Sequence, residues 1–352
     1  MDSIAAKIDP ALVDINTTFQ YQGAEGAGTG IVLTSDGEIL TNNHVINGAT
    51  SISVTDIGNG RTYSAKVVGY DASDDVAVLQ LVGASGLKAA SVADSDDVKV
   101  GQDVVAVGNA GGTGGTPTAA GGTVTALNQA ITASDELNGT SENLSNLIET
   151  DADVQSGDSG GSLVNSSGQV VGIDSAAAQG YSLQSSGNST NQGYAIPINK
   201  ALSIAKSIEA GHSSSTIHVG ETAFLGVLIA SDQSGSSSGS PFSGLGGQGG
   251  AGSFGGILGD GSSGSSGSSS SGTDSGTGAP ISSVVSGGAA AQAGLAGGDT
   301  ITAIDGQDVS SAGDVSQLIS QDHPGQSIHV SWTDQDGTSH STTVTLQAGP
   351  PA

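Results

Sequence analysis

Apolar positions along residues 1–220 fall into short clusters dense in Val, Ile, Leu and Thr. They include Gly30-Ile31-Val32-Leu33, Ile52-Ser53-Val54, Ala65-Lys66-Val67-Val68, Val76-Ala77-Val78-Leu79, Asp103-Val104-Val105-Ala106-Val107 and Val170-Val171-Gly172-Ile173. Gly, Asn and Asp separate them, and Ser35-Asp36-Gly37 and Asn165-Ser166-Ser167-Gly168 have the chemistry of hairpin turns. Repeated short strands with turn signals between them predict an antiparallel sandwich or barrel. One helix is predicted from Asn199 to Glu209, with Asn199 as its cap and Leu202, Ala205 and Ile208 on one face.

The pattern lapses over 231–279, where Ser and Gly dominate. Such a tract buries too little apolar surface to offset its ordering entropy, which predicts a disordered insertion or linker. Patterning returns at Pro280. Strands are predicted at 281–285, 300–304, 328–332 and 342–346, with a turn at Asp305-Gly306 and a short helix from Gly313 to Ser320. Phe224-Leu225-Gly226-Val227-Leu228-Ile229 reads as the first strand of this α+β unit, so the Ser/Gly tract interrupts it near its start. The predicted organisation is a β-rich domain over 1–220 and a smaller one over 221–348.

Composition narrows the partners. The chain has 352 residues, and its 7 Lys and Arg against 34 Asp and Glu give a formal charge of −27. That surface repels nucleic-acid phosphates and anionic lipid headgroups. The absence of Cys removes disulfides, thiol nucleophiles and thiolate metal sites. No apolar run is long enough for a membrane helix, and Met1-Asp2-Ser3 opens no basic and apolar leader. His212, His218, His323, His329 and His340 lack a compact acidic or His cluster, so they read as surface or structural residues, and no metal or other cofactor is expected. The Gly-rich stretch Gly108 to Gly122 has no following Lys and reads as a barrel-connecting loop rather than a phosphate loop.

Three strings carry candidate chemistry: Thr41-Asn42-Asn43-His44-Val45, then Asp71 to Leu79 with Asp75 before its apolar run, then Gly157-Asp158-Ser159-Gly160-Gly161. A Ser hydroxyl needs a neighbouring base to attack, imidazole titrates in the useful range, and a carboxylate behind it fixes the tautomer. Flanking glycines let backbone amides converge on a developing oxyanion. Singly, each string is weak: a His near a strand end, a solvated Asp or a Gly-Asp-Ser-Gly turn. Together, in the order His, Asp, Ser within a β-rich chain, they match a known triad order.

On these motifs the chain resembles the HtrA-type, trypsin-fold serine proteases that carry a C-terminal PDZ domain, and within them the secreted mycobacterial PepA type. Gly193-Tyr194-Ala195-Ile196-Pro197 and the Gly349-Pro350-Pro351-Ala352 end extend the likeness. The resemblance implies an all-β chymotrypsin/trypsin-like fold of two perpendicular six-stranded barrels, followed by a small α+β PDZ domain. It implies His44 as general base, Asp75 rather than Asp74 as its orienting acid, Ser159 as nucleophile, and the amides of Gly157 and Ser159 as oxyanion hole.

Two positions depart from simple expectation. HtrA proteins often have Asn where this chain has Asp158, and no free Ile-Val-Gly-Gly amine exists to pair with it, so satisfaction by backbone N–H groups is expected. Asp153 sits six residues before Ser159, where a carboxylate in an S1 pocket would receive Lys or Arg. The other reading is an exposed carboxylate with the family's preference for small aliphatic residues, and that is the one adopted.

Phe224-Leu225-Gly226-Val227 and Ala293-Gly294-Leu295 followed by Gly298-Asp299-Thr300-Ile301 and Ile304-Asp305-Gly306 resemble a PDZ module. In that fold a peptide adds as a strand and backbone amides, here those of Leu225, Gly226 and Val227, capture its carboxylate. The expected function is a serine endopeptidase acting on unfolded or damaged polypeptides, a quality-control role, secreted or extracytoplasmic with its leader absent from this chain. The C-terminal peptides held by the PDZ domain would recruit substrate or regulate the site. The alternative is a non-enzymatic peptide-binding or chaperone module on a protease scaffold. Either a monomer or a homotrimer is compatible, the latter through Phe19 and Tyr21.

Overall fold

The computed structural model describes residues 1–21, 23–134, 141–175, 192–229, 278–320 and 322–351. The Ser/Gly tract expected at 231–279 lies outside the described residues up to position 277. Six strands, β1 (Leu12–Phe19), β2 (Ala24–Val32), β3 (Glu38–Thr41), β4 (Ser51–Asp56), β5 (Thr62–Asp71) and β6 (Val76–Leu81), pair in the order β5-β4-β1-β2-β3-β6. A further β5–β6 pairing closes the ring. A second closed barrel is built from β7 (Asp103–Gly108), β8 (Thr118–Ser134), β9 (Ser141–Thr150), β10 (Ser162–Asn165), β11 (Val170–Ser175) and β12 (Gly193–Pro197).

The strands that face the junction read as continuous apolar runs because both of their faces are buried. On β6, Ala77 and Leu79 point into the first barrel while Val76 and Val78 join a core between the barrels. On β7, Val104 and Ala106 fill the second barrel while Val105 and Val107 join the same shared core. A side-chain period of two thus serves two cores at once. Among the described residues, three α-helices precede the C-terminal unit: α1 (Asp2–Ile8), the single turn α2 (Asn43–Ile46) and α3 (Ile198–Glu209). Helix α3 seals the shared core with Ala201, Ile204, Ala205 and Ile208, while Leu202 is half-buried.

Several expectations are corrected. Asn199 lies inside α3 rather than capping it; its amide donates to Ser95 Oγ (3.2 Å) and its side chain to Asp94 (2.6 Å), so a neighbouring loop caps the helix. The Gly108–Gly122 stretch connects β7 to β8 within one barrel instead of joining the two barrels, and Gly121 and Gly122 are already in β8. Phe224–Ile229 is no single strand. It divides into β14 (Thr222–Phe224) and β15 (Val227–Ile229) because Gly226 adopts φ +81°, a left-handed value that breaks a strand.

The C-terminal unit contains β15, β16 (Ala279–Val284), β17 (Thr300–Ile304), β18 (Gln307–Asp308), β19 (Ser327–Thr333) and β20 (Ser339–Thr345), with helices α4 (Ala289–Ala293) and α5 (Ala312–Ile319). Ser311 starts α5 through a capping box, accepting from the Asp314 amide (3.2 Å) while Asp314 accepts from the Ser311 amide (3.0 Å). Ile281, Ile301, Val330 and Trp332 form its core. A short two-stranded sheet joins β14 to β21 (Gln347–Gly349).

The unit rests on the first barrel. Strand β13 (Ile217–Val219) extends that barrel's sheet beside β5, and its buried His218 stacks on Tyr70 (5.2 Å between ring centroids). The two ring nitrogens of His218 lie 3.1 and 3.3 Å from the carbonyl oxygens of Ser320 and Glu221. The Gly48 amide donates to the Pro351 carbonyl (2.7 Å). Tyr21 stacks on Phe224 (5.6 Å) and Phe19 is buried at 5% exposure, so the aromatic pair considered for trimer contacts is engaged within the chain.

At the rim of the first barrel, burial and the neighbouring Glu209 carboxyl push Glu38 up to about 7. Because the folded-state pKa lies above the unfolded one, this pair supplies stability at low pH that is lost as pH rises toward about 7. Glu209→Gln is therefore expected to flatten the decline in melting temperature between about pH 5 and pH 8, measured by thermal unfolding.

Candidate active site

Each acidic residue before β6 has a separate task. Asp71 builds the turn: its Oδ1 accepts from the Ser73 amide (3.0 Å), the Ser73 hydroxyl (2.7 Å) and the Asp74 amide (3.2 Å). Asp74 pairs with Lys200 of α3 (2.6 Å). Asp75, fully buried and at φ +54°, is the carboxylate presented to His44. Its oxygens lie 2.9 and 3.0 Å from His44 Nδ1, and Oδ1 also accepts the His44 backbone amide at 3.0 Å. Ring and backbone of the same residue are thus held by one carboxylate, which fixes the imidazole's orientation and places the Nδ1 proton on the acid's side.

Asn42 had only a place in a string; the structure gives it a function in the framework. Its Nδ2 donates to the Asp75 carbonyl (2.9 Å) and its Oδ1 accepts from the Gly160 amide (2.7 Å). One buried amide side chain therefore ties the turn of Asp75 to the loop of Ser159. Two glycines of that loop are required by close approach. Gly157 (φ +96°) and Gly160 (φ +83°) both have left-handed backbones, and a Cβ would overlap Asn109 O at the first and Thr29 O at the second.

The His44 and Ser159 side chains line one cleft of about 510 Å³, together with Phe19, Ala27, Gly111 and Gly157. The Ser156 carbonyl accepts from the Gly111 amide (2.7 Å). In a planar trans peptide the N–H points opposite to the C=O, so this bond turns the Gly157 N–H the other way. Among the described residues that N–H has no hydrogen-bond acceptor. Asp153 lies outside the residues lining this cleft; it is exposed and accepts from Gln155 Nε2 (2.8 Å).

Asp158 is satisfied by the backbone at one oxygen only. Its Oδ2 accepts from the Gln155 amide (2.9 Å), while Oδ1 is buried without a partner. Burial pushes its carboxyl up to about 6, against the lowering effect of that amide and with help from Asp153. Asp174, fully buried behind it at the end of β11, has neither oxygen hydrogen-bonded. Its burial, then the charge of Asp158, raise its pKa well above the usual carboxylate range, with the Val107 amide dipole opposing. Residue type could have flagged Asp174, since it is an acid inside an apolar strand; its pairing with Asp158 depends on the fold.

The second groove lies in the C-terminal unit, a cavity of about 220 Å³ between β15 and α5 lined by Leu225, Gly226, Val227, Ile229, Val315 and Ile319. The carbonyls of Leu225 and Gly226 accept from the amides of Ala290 (2.8 Å) and Val285 (2.9 Å). The same planarity then turns the N–H groups of Gly226 and Val227 away from those anchors.

Together, the double barrel and its cleft define a trypsin-like peptidase domain joined to a PDZ domain. Residues 28–173 match the trypsin-like peptidase domain family and residues 281–331 a PDZ domain family. Serine protease PepD of Mycobacterium tuberculosis is 32% identical over 363 residues, covering 98% of this chain and 66% of PepD. The periplasmic pH-dependent serine endoprotease DegQ of Escherichia coli is 34% identical over 308 residues, covering 87% of this chain and 56% of DegQ. A solved structure of the HtrA-type protease AlgW with tripeptide is 27% identical, covers 100% of this chain and 98% of its own, and superposes with a TM-score of 0.48. The chain belongs to the HtrA-type serine proteases, trypsin-like and PDZ-containing. It spans between 56% and 66% of the length of these two curated relatives. The match to PepD places a mycobacterial protein among the relatives without distinguishing the PepA type.

The buried acids make a prediction. Asp158 and Asp174 hold protons more tightly folded than unfolded, so their contribution is complete below about pH 4 and is lost as pH rises through about 6 and beyond. Asp174→Asn is expected to flatten that decline in melting temperature, and Asp158→Asn to do so while keeping most of the activity. A wild-type melting temperature that climbs from pH 5 to pH 8, unaffected by either substitution, would contradict this assignment.

Proposed function

We propose that the chain is a serine endopeptidase that cleaves exposed, extended segments of unfolded or damaged proteins. The observation that carries this reading is the doubly held His44: Nδ1 and the backbone amide both on the buried Asp75 carboxylate, with the ring in the cleft that Ser159 also lines. Ser159 attacks the scissile carbonyl while His44 takes its proton, and the imidazolium then donates to the leaving amine. Asp75 stabilises that imidazolium without taking its proton. The amides of Gly157 and Ser159 stabilise the tetrahedral oxyanion, the kind of electrostatic assistance worth ~10²–10³ in rate per donor.

At the second groove, the amides of Leu225, Gly226 and Val227 receive the terminal carboxylate of a peptide laid beside β15, and Val315 and Ile319 receive its last side chain. Asp153 is exposed, bonded to Gln155 and outside the residues lining the cleft, which supports small aliphatic residues before the scissile bond. DegQ of Escherichia coli is a periplasmic protease, which supports an extracytoplasmic home for this chain.

The test is reaction with a serine-directed fluorophosphonate, alongside hydrolysis of an unfolded protein. Both are expected in the wild type and absent in Ser159→Ala; His44→Ala is expected to lower turnover by at least ~10³-fold. A wild-type chain that binds unfolded protein without labelling or cleavage would favour a peptide-binding or chaperone module instead. In the PDZ groove, amidating the terminal carboxylate of a bound peptide is expected to weaken binding by roughly tenfold or more, since a charge-assisted set of hydrogen bonds is lost. Titration of paired free-acid and amidated peptides measures this directly.

A further inference from the structure

We propose that Thr29 is a positioning residue for the oxyanion hole, acting through its side-chain hydroxyl. The inference rests on the serine-protease reading of the cleft but is carried by a separate set of hydrogen bonds. Thr29 lies on β2, in the first barrel, and is 1% exposed. All of its polar atoms are engaged. Its N–H donates to the Ser159 carbonyl (2.8 Å) and its own carbonyl accepts from the Thr41 hydroxyl (2.7 Å). Its hydroxyl donates to the Gly157 carbonyl (2.8 Å) and accepts from the Asn109 amide (2.9 Å).

The position of those bonds matters more than their number. Gly157 is the most freely rotating residue of the oxyanion segment, because glycine places little restriction on either backbone torsion. The peptide before it is anchored by Ser156 C=O on Gly111 N–H, and the peptide after it by Gly157 C=O on Thr29 Oγ1. The first anchor sets the peptide plane that carries the Gly157 N–H and the second sets the plane that follows it, so together they determine both Gly157 torsions and the placement of the Ser159 amide relative to that N–H. Without the hydroxyl, that second peptide keeps only its Asp158 N–H bond to the Gln155 carbonyl (2.9 Å) inside the same loop, and its tie to the first barrel is lost. The Asn109 amide, which begins the Gly111-bearing loop, would lose its acceptor in the same step, so both walls of the hole depend on one oxygen.

Thr29→Val keeps the shape and removes the hydroxyl; Thr29→Ser keeps the hydroxyl and removes a methyl group. For the Val variant, kcat is expected to fall by ~10- to 10²-fold with KM nearly unchanged, below the loss from deleting an oxyanion donor outright. Fluorophosphonate labelling of Ser159 is expected to slow in parallel. The Ser variant is expected to recover activity to within a few-fold of wild type. Equal impairment of both variants would assign the effect to packing and overturn the proposal, as would a Val variant with wild-type kcat. A crystal structure of the Val variant supplies an arm independent of turnover: unchanged orientation of the peptides flanking Gly157 overturns the proposal, and rotation there upholds it. A wild-type protein that fails to label sinks the protease reading while this structural arm still decides the role of Thr29.

Discussion

The working geometry depends on hydrogen bonds that cross between two barrels. Each barrel is closed on itself, so neither has a strand edge with which to grip the other. Apolar packing in the shared core holds them together, yet such packing is non-directional and leaves small rotations cheap. Direction comes from polar groups at the mouth, side chain and backbone. Asn42 joins the acid's turn to Gly160, and Thr29 joins β2 to Ser159, Gly157 and Asn109. These contacts are buried, where an unmade bond costs the full desolvation of its donor or acceptor. The strings that carry His44 and Asp75 on one side and Ser159 on the other therefore belong to different barrels and are set in register by Asn42 and Thr29.

The acids beside Ser159 follow another logic. A chain with seven cations has few charges with which to neutralise a buried carboxylate. The charge of Asp158 opposes ionisation of Asp174 and that of Asp153 opposes ionisation of Asp158, with only backbone groups in support. Protonation is the remaining way to keep two acids in a low-dielectric interior. This is a different solution from pairing an internal acid with a terminal amine, and it makes the region behind Ser159 sensitive to proton concentration.

Much of this was legible in residue order. Short apolar runs and turn chemistry located strands of both barrels, as at Val76–Leu79 and Asp103–Val107, because both signals are local. His44, Asp75 and Ser159 were legible because their neighbours are as constrained as they are: the acid precedes an apolar run and the serine sits among glycines. What escaped notice depends on contacts far apart in sequence. Thr29 and Asn42 are ordinary residues in a strand and at a strand end until Gly157 and Gly160, more than a hundred positions away, are folded against them. Asn199 failed as a cap for a similar reason, since a loop about a hundred residues earlier supplied the acceptor. Strand continuity at Phe224–Ile229 failed on a single glycine torsion that composition does not reveal.

The mounting of the C-terminal unit gives the molecule a mechanical asymmetry. Tyr21, Gly48, Tyr70 and β13, through which it is seated, all belong to the barrel of His44 and Asp75, and Gly48 follows the helical turn bearing His44 by two residues. A rigid tilt of that unit is delivered first to His44 and Asp75. Ser159 senses it afterwards, filtered through the bonds spanning the cleft. Load on one module is thus converted into a relative shift of the two halves of the site rather than a displacement of the whole.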